Sequence, residues 1–511
     1  MKTLTLENNS TIAINQEIPF SEFLEGFKSK IKKAFHVDDD IDKLSVQRRL
    51  PAQTLNDIMS YNPLSVCIPK QYGGHGYSTH ECIALMSEAS YESLALSLTL
   101  SINYALFLQP VIKYAQEDAK LPLFKRFLEH QNMGGLMITE PGHGSDALNM
   151  QTFYTEQNGY FHLKGTKHWA GLTGMANYWL LTARKSGDNG LLRDIDFFIC
   201  DVNTAGQEIV VEEYFENLGL YQIPYGRNLI DVSIPQNQRL IPQTSGVQMM
   251  LDTLHRSRLQ FPGMGMGFIK RMLEEAIKHT RERKVGGRNL YSYDQVQHRL
   301  ARLQANYTIC SALCVVGSEM AGIENDLTQK GLEANIIKSI TTDLMQDSSQ
   351  SLLQLVGASG YKLNHIAGRS TVDSRPFQIF EGSNDILYVQ ICESFLKLMN
   401  TAKETNLYQF LKSFSLTSRA SEIIKDLVDF ELNKNLSQRK LVDLGIVISR
   451  IAAMNSTAIM IDRGFRPDLI QGAINMLKQE ISGQINTFSF AQNTTLFDDY
   501  SENSHWLDFV K

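Results

Sequence analysis

A mostly α-helical α+β fold is predicted by three features of the chain. Apolar residues recur at helical spacing from about Pro19 to His130, short strand-like runs fill Gln131 to roughly Ser245, and helical spacing returns from Val247 onward. These shifts divide the 511 residues into an N-terminal helical domain (1–130), a middle β domain (131–245), a second helical domain (246–400) and a helical extension (401–511). Three or four units, each around its own core, suit this length.

In the first domain, turn chemistry at Asn62-Pro63 and at Tyr72-Gly73-Gly74-His75-Gly76 separates the helical runs. The least charged stretch, Glu92 to Lys113, has the length of a membrane span but contains Ser97, Thr99, Ser101, Asn103, Gln109 and Pro110. Those polar groups find partners inside a protein core and none in lipid, so a buried helix is expected. In the second domain, Tyr178 to Ala183 and Phe197 to Cys200 read as strands. In the third, Ile269, Met272, Leu273, Ala276, Ile277 and Thr280 form one helix face, with Glu274, Lys278 and Glu282 on another. Leu303, Tyr307, Cys310 and Cys314 form a further stripe, which places the two cysteines in a core. In the extension, Ile446 to Ile461 reads first as a packing helix, with membrane association or an altered oligomer as the alternatives.

Composition excludes several functions. The net charge of −6 gives no general attraction to phosphate backbones or anionic lipid, and residues 401–511 carry 12 Lys and Arg against 13 acids. No nucleic-acid role and no membrane anchor is therefore indicated. The six cysteines lack a C-x-x-C pair, so neither a metal site nor a disulfide framework is expected, and a reducing compartment fits. Met1 to Glu17 has neither a basic nor an apolar signal region, and a cytoplasmic location is expected. Gly263-Met264-Gly265-Met266-Gly267 lacks the glycine offset and the preceding strand of a dinucleotide fingerprint, which leaves helix packing as its role. Walker, H-E-x-x-H and G-x-S-x-G patterns are absent.

The chemistry concentrates in Ile379-Phe380-Glu381-Gly382-Ser383-Asn384-Asp385-Ile386, where a carboxylate sits between an apolar run and a glycine turn that opens a helix. Buried there, Glu381 would be a base of raised pKa; exposed, it would be a helix N-terminal acid favoured by the macrodipole. Spacing alone leaves both open.

This segment resembles the Y-E-G-T-x-x-I motif that carries the catalytic base of the acyl-CoA dehydrogenases, and Asp373 also matches. Met137-Ile138-Thr139-Glu140-Pro141-Gly142-His143-Gly144-Ser145-Asp146 is similar to that family's x-x-T-E-P-x-x-G-S-D signature. Thr139, Gly144 and Ser145 would meet the cofactor, FAD, and Ser145 also the substrate. Gly165 to Gly171 resembles G-x-K-x-W-I-T, in which Trp169 would cover the flavin; Gly171 stands where a threonine is usual and would meet the cofactor through its backbone N–H. His255 to Gly267 resembles a helix that opens with D/E-x-x-R, making Arg258 the arginine that holds the thioester, with His255 in place of the acid.

Arg283-Lys284-Val285-Gly286-Gly287 resembles R-x-x-F-G, whose arginine reaches the FAD pyrophosphate across a subunit boundary; Gly286 replaces the aromatic and Asp294 a usual glutamine. Gln354 to Tyr361 is similar to Q-x-x-G-G-x-G, so Gln354, Gly357 and Gly360 would contact the ADP half of a neighbouring subunit's FAD. Read from spacing alone they are a helix C-cap and turn. Ile68 to Gly76 resembles the P-x-x-Y-G-G-x-G loop.

The resemblance spans about residues 20 to 400. It implies a β-barrel-like middle domain, a four-helix bundle in 246–400, and FAD held without a Rossmann fold. Glu381 would take the α-proton of an acyl thioester as the β-hydride leaves, giving a trans-2-enoyl thioester. Gly382 would lie on the substrate and Ser383 on the cofactor. An acyl-CoA or an acyl carrier protein is the implied substrate, an electron-transfer flavoprotein the implied acceptor, and a homodimer or homotetramer the implied assembly. Leu218 to Tyr225 departs from the family's serine-containing pattern, which keeps the carrier-protein alternative open beside an acyl-CoA oxidase. A nucleic-acid-binding relative and a flavin-poor scaffold are the remaining alternatives.

Overall fold

The computed structural model describes residues 18–76, 78–433, 435–490 and 495–499. The reading of Met1 to Glu17 lies outside the described residues. Helices precede the sheet: α1 (Phe20–Lys33), α2 (Thr79–Glu92), α3 (Leu94–Ser101) and α4 (Glu117–His130). Side-chain caps start two of them, with Ser78 Oγ accepting from His80 N–H and Ser93 Oγ from Leu96 N–H. The stretch after α3 continues as a wide π-helical turn, Ile102–Leu108, before Gln109–Tyr114.

This long apolar segment is a core element. Leu94–Tyr114 and Gln438–Arg463 are long and apolar enough to cross a membrane, yet 89% and 72% of their apolar windows are buried inside the protein. The polar groups find the partners expected: Ser97 donates to the Met86 carbonyl, Asn103 donates to the Thr99 carbonyl and accepts from Gly134 N–H, and Gln109 pairs with Gln260.

The middle domain is a curled sheet of β1 (Gly134–Met137), β2 (Phe153–Gln157), β3 (Tyr160–His168), β4 (Tyr178–Gly187), β5 (Gly190–Leu191), β6 (Asp196–Asp201), β7 (Val210–Tyr214) and β8 (Gly226–Pro235). The order is β1-β4-β2-β3-β8-β7, with β5 and β6 also on β4. Curling arises because β4 pairs with β1 and β6 along its first half and with β2 at Arg184 and Lys185. Its ladders are mostly antiparallel, and no βαβ crossover is formed.

The second helical domain packs α5 (Gly246–Glu282), α6 (Asp294–Met320), α7 (Gly331–Val356) and α8 (Asn384–Thr401) as a bundle. Helix α5 is 37 residues long and starts at Ser245, whose Oγ accepts from Gln248 N–H. It crosses α2 closely: a Cβ on Gly267 would stand 1.8 Å from the Ser87 carbonyl oxygen, so this position admits glycine only. The glycine run is thus a packing surface. Cys310 and Cys314 are buried thiols on α6, unpaired like all six cysteines. The extension contributes α9 (Gln438–Ile459) and α10 (Pro467–Ser489), which pack on each other and on α6 and α8.

Candidate active site

A cavity of about 300 Å³ opens where the sheet meets the two helical domains. Leu98, Ile102 and Leu106 line it from the first domain, the latter two within the π-helical turn. Thr139, Gly144, Ser145, Trp169 and Gly171 line it from the β domain, and Arg258, Phe380, Glu381 and Gly382 from the bundle. Residues drawn from four separate sequence motifs therefore converge on one space.

Glu381 sits in a left-handed conformation (φ 53°), one a side chain adopts only where surrounding structure holds it. Arg258 Nε donates to its carbonyl oxygen at 3.1 Å, and Lys338 Nζ donates to the Gly382 carbonyl at 2.8 Å and to Asn384 Oδ1 at 3.0 Å. Ser257 Oγ donates to Glu381 Oε1 at 2.9 Å, while Oε2 is enclosed and has no partner. Part of the residue is exposed, but its carboxylate is not. Burial pushes this carboxyl above its ordinary value, opposed by the Arg258 charge, the Ser257 hydroxyl and the Lys338 charge. The helix N-terminal alternative fails here, because Ser383 is the N-cap of α8 and the Glu381 carboxylate turns toward α5.

The opposite wall is framed by a buried ion pair. Glu140 and Lys167, from the two β-domain motifs, meet at 2.8 Å with side-chain exposures of 4% and 0%. Glu140 also accepts from the backbone N–H groups of Gln151 and Thr152, and Lys167 donates to the Ile138 carbonyl and Thr182 Oγ1. His168 N–H bonds the Thr139 carbonyl at 2.8 Å, which fixes Thr139 beside Trp169. The Trp169 indole packs on Phe215 at 4.5 Å yet remains 55% exposed, an uncovered aromatic face at the cavity wall.

At Gly171 a Cβ would stand 2.8 Å from Ile102 Cδ1, so Ile102 fills the room a threonine side chain would need there. Gly286 and Gly287, both with positive φ, form the tip of a small hairpin between Lys284–Val285 and Arg288–Asn289. A turn thus occupies the position of the missing aromatic.

Several expected residues stand away from the cavity in one chain. Arg283 ends α5 and is exposed. Gln354 and Gly357 line a shallow surface depression with Leu353 and Tyr361, and Gly360 is packed among Leu353, Val356 and Ala367. Ser383 does not line the cavity. Asp373 accepts from Leu220 N–H in a different pocket, and burial pushes its carboxyl up to about 6. His255 bonds the Leu327 carbonyl; the buried acid of this helix is Asp252, which pairs with Arg256 at 3.0 Å and Lys113 at 3.1 Å.

Sequence reasoning missed Ser257 and Lys338. Lys338 stands in the apolar run Asn335-Ile336-Ile337-Lys338-Ser339-Ile340, and a lone lysine there was the available signal.

Residues 34–130, 135–231 and 244–396 match, in order, the acyl-CoA dehydrogenase N-terminal, middle and C-terminal domains. The chain belongs to the acyl-CoA dehydrogenase family. It is an oxidoreductase of a FAD-dependent family. It is 25% identical over 337 residues to an acyl-CoA dehydrogenase of Bacillus subtilis, covering 66% of this chain and 87% of that one. It is 24% identical over 358 residues to the caffeyl-CoA reductase-Etf complex subunit CarC of Acetobacterium woodii, covering 70% and 93%. In fold it resembles the acyl-CoA dehydrogenase of Bacillus anthracis complexed with FAD, with a TM-score of 0.75 at 17% identity over 93% of this chain and 90% of that one.

The residues present fit a flavin. The uncovered Trp169 face offers a flat apolar surface, and no atom lies within 4 Å of a Cβ placed on Gly144, so a ring can approach that backbone. Thr139 and Ser145 supply hydroxyls at the same wall.

Proposed function

We propose that the protein oxidises a saturated acyl thioester, an acyl-CoA, to its trans-2-enoyl thioester, with Glu381 as the base. One observation carries the reading: the enclosed, unpartnered Oε2 of Glu381 on the wall of an otherwise mostly apolar cavity. A desolvated carboxylate binds a proton more strongly than one in water, which matches it to a weakly acidic α-proton. Ser257 holds Oε1 and leaves Oε2 as the accepting atom. Arg258 and Lys338 grip the carbonyls of Glu381 and Gly382, so the base keeps its place as its charge is lost. The Glu381 backbone N–H is the donor assigned to the thioester oxygen, where enolate charge develops. Apolar walls from Leu98, Ile102 and Leu106 take the acyl chain and exclude water. FAD, held by Thr139, Ser145 and Trp169, would supply the acceptor for the β-hydride.

Arg283, Gln354 and Gly357, exposed and apart from the cavity, are assigned to a second subunit's cofactor, so the reading includes a homodimer or homotetramer. An electron-transfer flavoprotein is the proposed acceptor, in line with the Etf complex named for the Acetobacterium relative. A cytoplasmic setting belongs to the same reading and rests on six unpaired cysteines.

Anaerobic titration with butyryl-, octanoyl- and palmitoyl-CoA and one acyl carrier protein thioester tests the assignment through flavin absorbance. Wild type is expected to bleach with at least one acyl-CoA, and Glu381→Gln to bind it without bleaching. Normal bleaching of Glu381→Gln would sink the role of the base. Peroxide formation in air would mark an oxidase instead.

A further inference from the structure

Among the described residues none beyond Asn400 lines the cavity, yet one side chain of that segment reaches the carboxylate that ties down the loop carrying Glu381. Arg450, on α9, donates through one guanidinium nitrogen to Asp343 Oδ2 at 2.9 Å and through another to the Tyr388 hydroxyl at 2.9 Å. Tyr388 in turn donates to Asp343 Oδ2 at 2.5 Å. The other oxygen of Asp343 accepts from Gln378 Nε2 and from Asn384 Nδ2, both at 2.8 Å. Gln378 and Asn384 are the residues immediately flanking 379–383, so a single carboxylate ties both feet of the catalytic loop. Lys338 reinforces the second foot through Asn384 Oδ1.

The clasp depends on the arginine. Burial pushes the Asp343 carboxyl up, and the Arg450 charge with the Tyr388, Gln378 and Arg450 donors outweighs it, holding the group below the usual carboxylate range. Helix α9 is docked closely enough to deliver the guanidinium: a Cβ on Gly445 would stand 2.1 Å from the Tyr388 carbonyl oxygen. Beyond Arg450 the chain of charges runs on to Glu480 of α10 and from there to Arg302 of α6, which anchors the extension to the bundle. A loop that must keep Glu381 in a left-handed conformation needs such outside restraint.

We propose that Arg450 is a positioning residue for the base, pinning the loop that carries Glu381 through Asp343, and that the C-terminal extension is thereby part of the catalytic apparatus. The catalytic half of this inference rests on the role proposed for Glu381; the pinning of the loop does not.

The test uses the full-length holoenzyme with Arg450→Met, Arg450→Lys and, as a control on the same extension, Arg463→Ala, whose exposed ion pair with Glu319 lies apart from the loop. Two readouts are taken: amide hydrogen exchange of peptides covering 378–384, and the anaerobic flavin-reduction rate with whichever of butyryl-, octanoyl- or palmitoyl-CoA bleaches wild type. Arg450→Met is expected to speed exchange in that segment and to slow reduction by about tenfold or more, with thioester affinity within about twofold. Arg450→Lys should recover part of both effects, and Arg463→Ala should show neither. Wild-type exchange and reduction in a folded Arg450→Met protein would overturn the proposal. If that variant does not fold, the Arg450→Met/Asp343→Asn pair removes both charges and decides on the same criteria. Normal bleaching by Glu381→Gln counts against the base, whereas unchanged loop exchange in the Arg450 variants counts against the clasp.

Discussion

Each wall of the cavity is built on a buried lysine, and the two lysines are used in opposite ways. In the β wall, Lys167 meets the Glu140 carboxylate directly at 2.8 Å, and burial pushes its amine down to about 8 against that charge. In the helical wall, Lys338 bonds neutral oxygens of Gly382 and Asn384, and burial pushes it down to about 7, while the nearby Glu381 keeps one oxygen unpartnered. Cancelled charge makes a frame, and uncancelled charge makes a reactive group. The β wall meets the cofactor with its carboxylate already paired to a cation; the helical wall holds the carboxylate with an oxygen left open to a proton.

The sharpest way to break this contrast is Lys167→Met. It leaves Glu140 buried without its cation, and a loss of about 3–5 kcal/mol in unfolding free energy is expected, read by denaturant melting. Lys338→Met should cost less stability, about 1–3 kcal/mol, and act mainly on the reaction. Base catalysis needs Glu381 ionised, so the reduction rate rises with pH through its raised pKa. Removing the Lys338 charge, which favours the ionised form, moves that limb to higher pH. A limb that stays put would show that Lys338 is only a frame like Lys167.

Gly171→Thr forces a Cβ against Ile102 and should destabilise by about 1–2 kcal/mol, measured as a lower melting temperature. Adding Ile102→Ala should relieve part of that cost. The smallest effect is expected from Ser257→Ala, which deletes the hydrogen bond to Oε1. About 1 kcal/mol of lost support for the ionised base corresponds to a reduction rate lower by about fivefold near the limb. The limb should again shift upward, with thioester binding unchanged.

How much is legible in the sequence differs between these walls for the same reason. Thr139 and Trp169 lie in short contiguous strings whose resemblance to family motifs singles them out, whereas the pairing of Glu140 with Lys167 from those same strings is visible only in the structure. It also singles out Glu381 as a candidate, but burial and cap are equal readings until its carboxylate is seen turned toward Ser257. Ser257 adjoins Arg258 and Lys338 lies 44 residues before Gly382, and neither position has a local pattern that announces a partner in the loop.

Periodicity, turn residues and contiguous motifs are local properties, and they suffice for the order of helical, β and helical domains, the family, and the one carboxylate worth testing. Tertiary structure alone decided how that carboxylate behaves. Its raised pKa comes from desolvation, and its placement comes from α5, α7 and, through Asp343, α9 arriving from distant parts of the chain. Burial and convergence depend on where the rest of the protein lies, which no spacing along the chain records.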